Sequence, residues 1–181
     1  MELQAWFTEQ MQDKEGVLVS HNSSVDIQFL LCEYIRAGIT LPSRMKYGLD
    51  TLKTLTRFSS LAYRKVTPEQ WPPGYLTKTG KTSMGVKPCA VYALSKRTRP
   101  VSFAEACGNH HDADADTRAV AVILFDEKQF GNKSLYHAVF KSNKRCLQPL
   151  SQVFDAMKTK MQEPVLKFEK LPPGWQPAVV S

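Results

Sequence analysis

The stretch Val17-Leu18-Val19-Ser20-His21-Asn22-Ser23-Ser24-Val25-Asp26-Ile27-Gln28-Phe29-Leu30 holds most of the fold information in this chain. Gly16 opens a compact aliphatic run, Val17-Leu18-Val19, and a short run of that kind bounded by turn formers reads as a buried strand. His21 to Ser24 is a polar turn containing side chains suited to capping a helix. From Val25 onward Ile27, Leu30, Leu31, Tyr34 and Ile35 recur at helical spacing, and Gly38 is a natural stop just beyond the last turn. Strand, polar turn and amphipathic helix in immediate succession predict an α/β fold.

Outward from this unit, Leu3, Trp6, Phe7 and Met11 predict a short amphipathic helix ahead of the strand. Leu49-Asp50-Thr51-Leu52 begins a strand or turn leading into another helical stretch. Residues 67–86 hold Pro68, Pro72, Pro73, Gly74, Gly80 and Gly85 and read as a long, irregular, basic loop. A helix is expected after Pro88, with that proline at its first position, and Ser102 with Glu105 has the spacing of a capping box. Ala113 to Phe125 predicts a helix whose alanines and valines suit close packing on a sheet. A turn at Gly131-Asn132, a short strand at Leu135–Phe140 and a helix bearing Leu150, Val153, Phe154, Met157 and Met161 follow. Leu171-Pro172-Pro173-Gly174-Trp175 reads as an extended tail. These readings divide the chain into a domain over 1–126 and a basic helical extension with a proline-rich tail over 127–181.

The length of 181 residues suffices for one domain with a real core. No apolar run approaches the roughly 20 residues of a membrane span, and no secretory leader is visible, so a soluble intracellular protein is expected. Cys32, Cys89, Cys107 and Cys146 are irregularly spaced without a CxxC pair, which argues against a disulfide framework. Cys107, His110 and His111 could offer ligands to zinc, but no second pair at matching spacing exists, and reduced, buried thiols are the better reading. The formal charge is +7. Between Glu69 and Glu105 there is no acidic residue, whereas Lys78, Lys81, Lys87, Lys96, Arg97 and Arg99 all fall there, and Lys141, Lys144 and Arg145 form a second basic stretch. Such clustering favours a polyanionic partner.

Two segments offer chemistry. In the first, Asp26 follows His21 and Asn22 at the start of the helix after the strand. In the second, His111-Asp112-Ala113-Asp114-Ala115-Asp116 opens the alanine-rich helix. Each alone is ordinary, since helix dipoles favour acids in the first turn. Their conjunction resembles the DEDDh (DnaQ-like) 3′→5′ exonuclease family, especially the three-prime repair exonucleases. That family has an apolar strand followed by His-Asn-x-x-x-Asp, matched by His21, Asn22 and Asp26. It has His-x-Ala-x-x-Asp, matched by His111, Ala113 and Asp116, and between them a Leu-Asp-Thr-Leu segment, matched by Leu49–Leu52. The resemblance covers roughly residues 1–125.

The resemblance implies a ribonuclease-H-like fold and hydrolysis of phosphodiesters assisted by two divalent ions, Mg2+ or Mn2+, held by carboxylates. It implies Asp26 and Asp116 as metal ligands and His111 as the general base. His21, Asn22 and the lysines Lys78, Lys81 and Lys87 would lie along a single-stranded or frayed 3′ end of DNA or RNA. The family's opening Asp-x-Glu strand has no counterpart before Val17: Glu2 and Glu9 fall on the predicted first helix. The expected fold is therefore truncated at its N-terminal side, with the first strands missing. Three explanations stand: a fragment or alternative start of a larger enzyme, a retired exonuclease kept as a binding or scaffold subunit, or a domain whose sheet another chain completes.

Overall fold

A computed structural model describes residues 2–57, 63, 66–109, 112–126, 129, 133–142 and 144–162. Among these the elements run α1 (Glu2–Met11), β1 (Gly16–Ser20), α2 (Asp26–Arg36), β2 (Met45–Asp50) and α3 (Thr51–Arg57). They continue with a 3-10 turn (Pro68–Gln70), α4 (Val86–Ser95), α5 (Phe103–Cys107), α6 (Ala113–Phe125) and α7 (Leu135–Ser142), then a second 3-10 turn (Lys144–Cys146), β3 (Leu147–Pro149) and α8 (Leu150–Gln162).

The sheet is mixed, in the order β1-β2-β3. β1 and β2 are parallel, as a crossover through α2 requires, with Ser20 opposite Asp50 at their carboxyl ends. β3 adds antiparallel to β2, with Leu49 opposite Leu147. Among the described residues β1 pairs only with β2, so its outer edge is free.

Side chains of β1 alternate across the sheet, and that period of two assigns them to two cores. Val17 and Val19 pack with Leu49, Leu55, Trp71, Ala119, Ile123 and Val139 from the side of α3, α4, α6 and α7. Leu18 packs on the other face with Met11, Ile27, Leu31, Met45 and Leu150, under α1, α2 and α8. The outcome is a mixed α/β architecture with helices on both faces of a small sheet. Gly48 lets α2 and α8 close on β2: a Cβ there would lie 3.1 Å from Leu150 Cδ2 and 3.3 Å from Ile27 Cδ1. Among the described residues no helix is long and apolar enough to cross a membrane.

Several local expectations change. Leu135–Phe140 is helical, because burying Leu135, Ala138 and Val139 at spacings of three and four serves one helix face better than alternation would. β3 went unforeseen, since three residues carry no period. α4 begins at Val86 with Gly85 as its cap, so Pro88 sits in the first turn, where a missing N–H costs no hydrogen bond, rather than at the first position. α6 spans the expected residues and packs chiefly on α4, α5 and α7, while its Ala119 and Ile123 also share a core with Val17 and Val19 of β1. The basic loop is less irregular than its composition suggests: Leu76 and Thr82 form an antiparallel bridge around a turn at Gly80 (φ +74°). Residues 135–150, read as part of an extension, supply Leu135, Ala138, Val139 and Leu150 to the two cores. The readings at His110, His111, Gly131-Asn132 and Leu171–Trp175 fall outside the described residues.

Candidate functional site

The carboxyl end of β1 opens onto a cleft of about 740 Å3. In open α/β sheets this is where ligands bind, because the loops leaving parallel strands and the amino ends of the following helices converge there. Val19, Ser20, His21 and Asp26 line the cleft from the β1–α2 side, and Ala113, Asp116, Thr117, Val120, Ala121, Leu124 and Phe125 line it from α6. Val86 closes it from the start of α4.

Two expected ligands, Asp26 and Asp116, thus meet at one cleft although ninety positions of sequence separate them. Each stands in the first turn of its helix, where the exposed N–H groups and the dipole stabilise a carboxylate. Neighbouring acids have other duties. Asp112 caps α6 by accepting a hydrogen bond from Asp114 N at 3.2 Å, and Asp114 pairs with Arg118 at 2.8 Å. Among the described residues no group of three or more His, Cys, Asp or Glu side chains could hold a metal ion. His111, the expected base, lies outside the described residues.

The turn between β1 and α2 is held by a residue that sequence spacing flagged but did not explain. Asp50, buried at the end of β2, accepts hydrogen bonds from Asn22 N (3.2 Å), Ser23 N (2.9 Å), Ser23 Oγ (2.8 Å) and Lys53 N (3.0 Å). The bond from Lys53 N makes Asp50 the cap of α3 as well. Burial alone would raise its pKa, but the hydrogen bonds from Lys53, Ser23 and Asn22 together hold it below the ordinary carboxylate value.

Asn22 takes φ +91°, a left-handed conformation that asparagine tolerates better than other non-glycine residues. Its backbone faces Asp50, while its side-chain oxygen accepts from Ser24 Oγ. Asn22→Val should therefore lower stability by about 2 kcal/mol through backbone strain, whereas Asn22→Gly should cost under about 1 kcal/mol. Urea unfolding of the two variants side by side checks this, and equal losses would remove the strain argument.

His21 is fully engaged within the chain. Its Nε2–H donates to Met84 O at 2.7 Å, and Nδ1 shares a hydrogen bond of 2.9 Å with Thr51 Oγ1, whose hydroxyl also reaches Ser20 O at 3.1 Å. Burial pushes its pKa below the ordinary value, against smaller opposing effects of the Met84 carbonyl, Asp50 and Asp26. Thr51 was not anticipated as its partner; the Leu-Asp-Thr-Leu segment was its only trace in the sequence.

Of the three lysines singled out, Lys78 and Lys81 are exposed on the bridged turn, while Lys87 is half-buried with its ammonium 5.3 Å from the centre of the Phe103 ring. Compared with protein-family models, curated proteins and solved structures, the chain gives no match.

Proposed function

We propose that this chain is a nucleic-acid-processing domain related to the DEDDh 3′→5′ exonucleases, with a ribonuclease-H-like fold whose opening strands are supplied from outside the segment described. One observation carries the reading: Asp26 and Asp116, from the first turns of two helices distant in sequence, line a single cleft at the carboxyl end of β1, a strand parallel to β2. The outer edge of β1, unpaired among the described residues, supports it too, since further strands would add there. Lys78 and Lys81, on a turn joined to the cleft through Met84, offer cations to the phosphates of a single-stranded 3′ end.

The carboxylates are the right chemistry for Mg2+ or Mn2+, which take hard oxygen ligands. Their number is not: among the described residues two acids line the cleft, too few to hold two ions. The described residues therefore do not fit a complete two-metal centre, and hydrolysis by them alone is not assigned. In this reading the missing acids arrive on a strand of another chain or a further segment paired with β1. That same shortage favours a second reading, a catalytically inactive exonuclease-like subunit that binds nucleic acid or serves as a scaffold.

The deciding assay offers 5′-labelled single-stranded DNA and RNA with Mg2+ or Mn2+. Release of mononucleotides from the 3′ end, reduced at least about a thousandfold in Asp116→Ala, is expected of the enzyme. Binding without release, indifferent to that substitution, selects the second reading. Absence of both binding and release discards the two together.

A further inference from the structure

We propose that His21 is a positioning residue: it latches the lysine-bearing turn 75–83 beside the cleft by donating from Nε2 to the Met84 carbonyl while Thr51 holds the other side of its ring. The use of that turn for phosphates rests on the nucleic-acid reading above; the latch itself does not.

The turn is a self-contained unit. Thr77 N donates to Lys81 O (2.7 Å), Ser83 N to Tyr75 O (3.1 Å) and Lys81 N to Thr77 Oγ1 (3.1 Å). These bonds shape it but leave its direction undetermined, and direction must come from where its ends are attached. Tyr75 and Met84 pack on the core at its base. Among the described residues, the bond from His21 is the one hydrogen bond tying residues 75–85 to a residue outside 72–89.

His21 is well placed for this task. It follows the last residue of β1, and Thr51 opens α3 directly after β2, so the ring is referenced to both parallel strands. Lys81 is three residues from Met84, so their Cα atoms lie within about 10 Å, whatever the turn's path. An imidazole oriented by the sheet thus sets where the exposed lysines of a surface loop stand.

Local release and global unfolding separate by trypsin nicking. In His21→Ala, cleavage after Lys78 and Lys81 should rise tenfold or more relative to cleavage after Lys53 and Arg118 in helices α3 and α6. His21→Gln, which restores an N–H donor on a side chain of similar reach, should recover most of the protection. Unchanged relative cleavage in His21→Ala overturns the latch. Should that variant fail to fold, 15N spectra of the unaltered protein decide instead: a neutral ring protonated at Nε2 supports the latch, and one protonated at Nδ1 overturns it. For the phosphate half, the salt dependence of oligonucleotide binding should become shallower in His21→Ala by about 1.4 in log–log slope, the loss of two contacts to a single strand. Adding Lys78→Ala and Lys81→Ala should change it little further. Released nicking with an unaltered slope overturns the phosphate role. If the unaltered protein binds no oligonucleotide, the proposed function fails, while the nicking ratio still decides the latch.

Discussion

Asp50→Ala should lower the unfolding free energy by about 3–5 kcal/mol, because each buried donor left unpaired costs about 1–3 kcal/mol. The substitution strands Asn22 N, Ser23 N and Lys53 N at once, and with them the hydroxyl of Ser23. The turn that presents Asp26 to the cleft and the cap of α3 depend on the same carboxylate, so both should loosen together. Asp50→Asn should recover little, since an amide turns one of its two acceptor positions into a donor facing other donors. Urea titration followed by circular dichroism measures the loss. A loss below about 1 kcal/mol would mean that the turn holds without its carboxylate.

The same group shapes the response to acid. Its folded pKa is depressed below 3.8, so its contribution is complete above that value and is lost as pH falls through the folded pKa. His21 acts in the same direction in an earlier window. Its folded pKa lies below 6.5, so the fold disfavours the imidazolium, and stability declines as pH drops from 6.5 through the folded value. Stability should therefore fall in two legs on acidification, and His21→Gln should remove the upper one. A single leg in both proteins would contradict the burial of the ring.

A chain ended at Asp126 should lose its cooperative unfolding transition altogether. That truncation removes Leu135, Ala138 and Val139 from one core and Leu150 from the other, together with the strand that covers the second edge of β2. A milder version keeps the chain whole: Leu150→Ala should cost about 2–5 kcal/mol, the range for emptying a packed leucine site. Leu150 is fully buried, and its Cδ2 would lie 3.1 Å from a Cβ at Gly48, so its neighbours are already as near as the backbone of β2 permits. Calorimetry distinguishes the outcomes, and a sharp transition in the truncated chain would mark residues 127–162 as dispensable.

Much of the skeleton was legible in the residues. β1, α2 and α6 lie where aliphatic runs and helical spacing put them, and the Ser102 cap accepts from Glu105 N as that spacing requires. Local patterns suffice there because one face of each element is buried continuously and the period of the side chains records it. Leu135–Phe140, expected as a strand, is helical: so short a run with mixed apolar spacing fits either period, and only the core it entered chose between them. The basic loop was legible as a loop, but not as a bridged turn.

The acids at Asp26 and Asp116 were recognisable as helix-start carboxylates from sequence alone, because the apolar spacing that marks each helix is local, although α2 has Val25 at its cap position, without the side-chain cap its polar turn offered. That they share a cleft was decided by tertiary packing, which brings α6 beside the end of β1. The work of Asp50 and the engagement of His21 by Thr51 and Met84 belong to the same class. A side chain's residue type says which bonds it can make, but, the local bond from Lys53 N to Asp50 apart, these partners lie 27 to 63 positions away and become neighbours only when the strands pair.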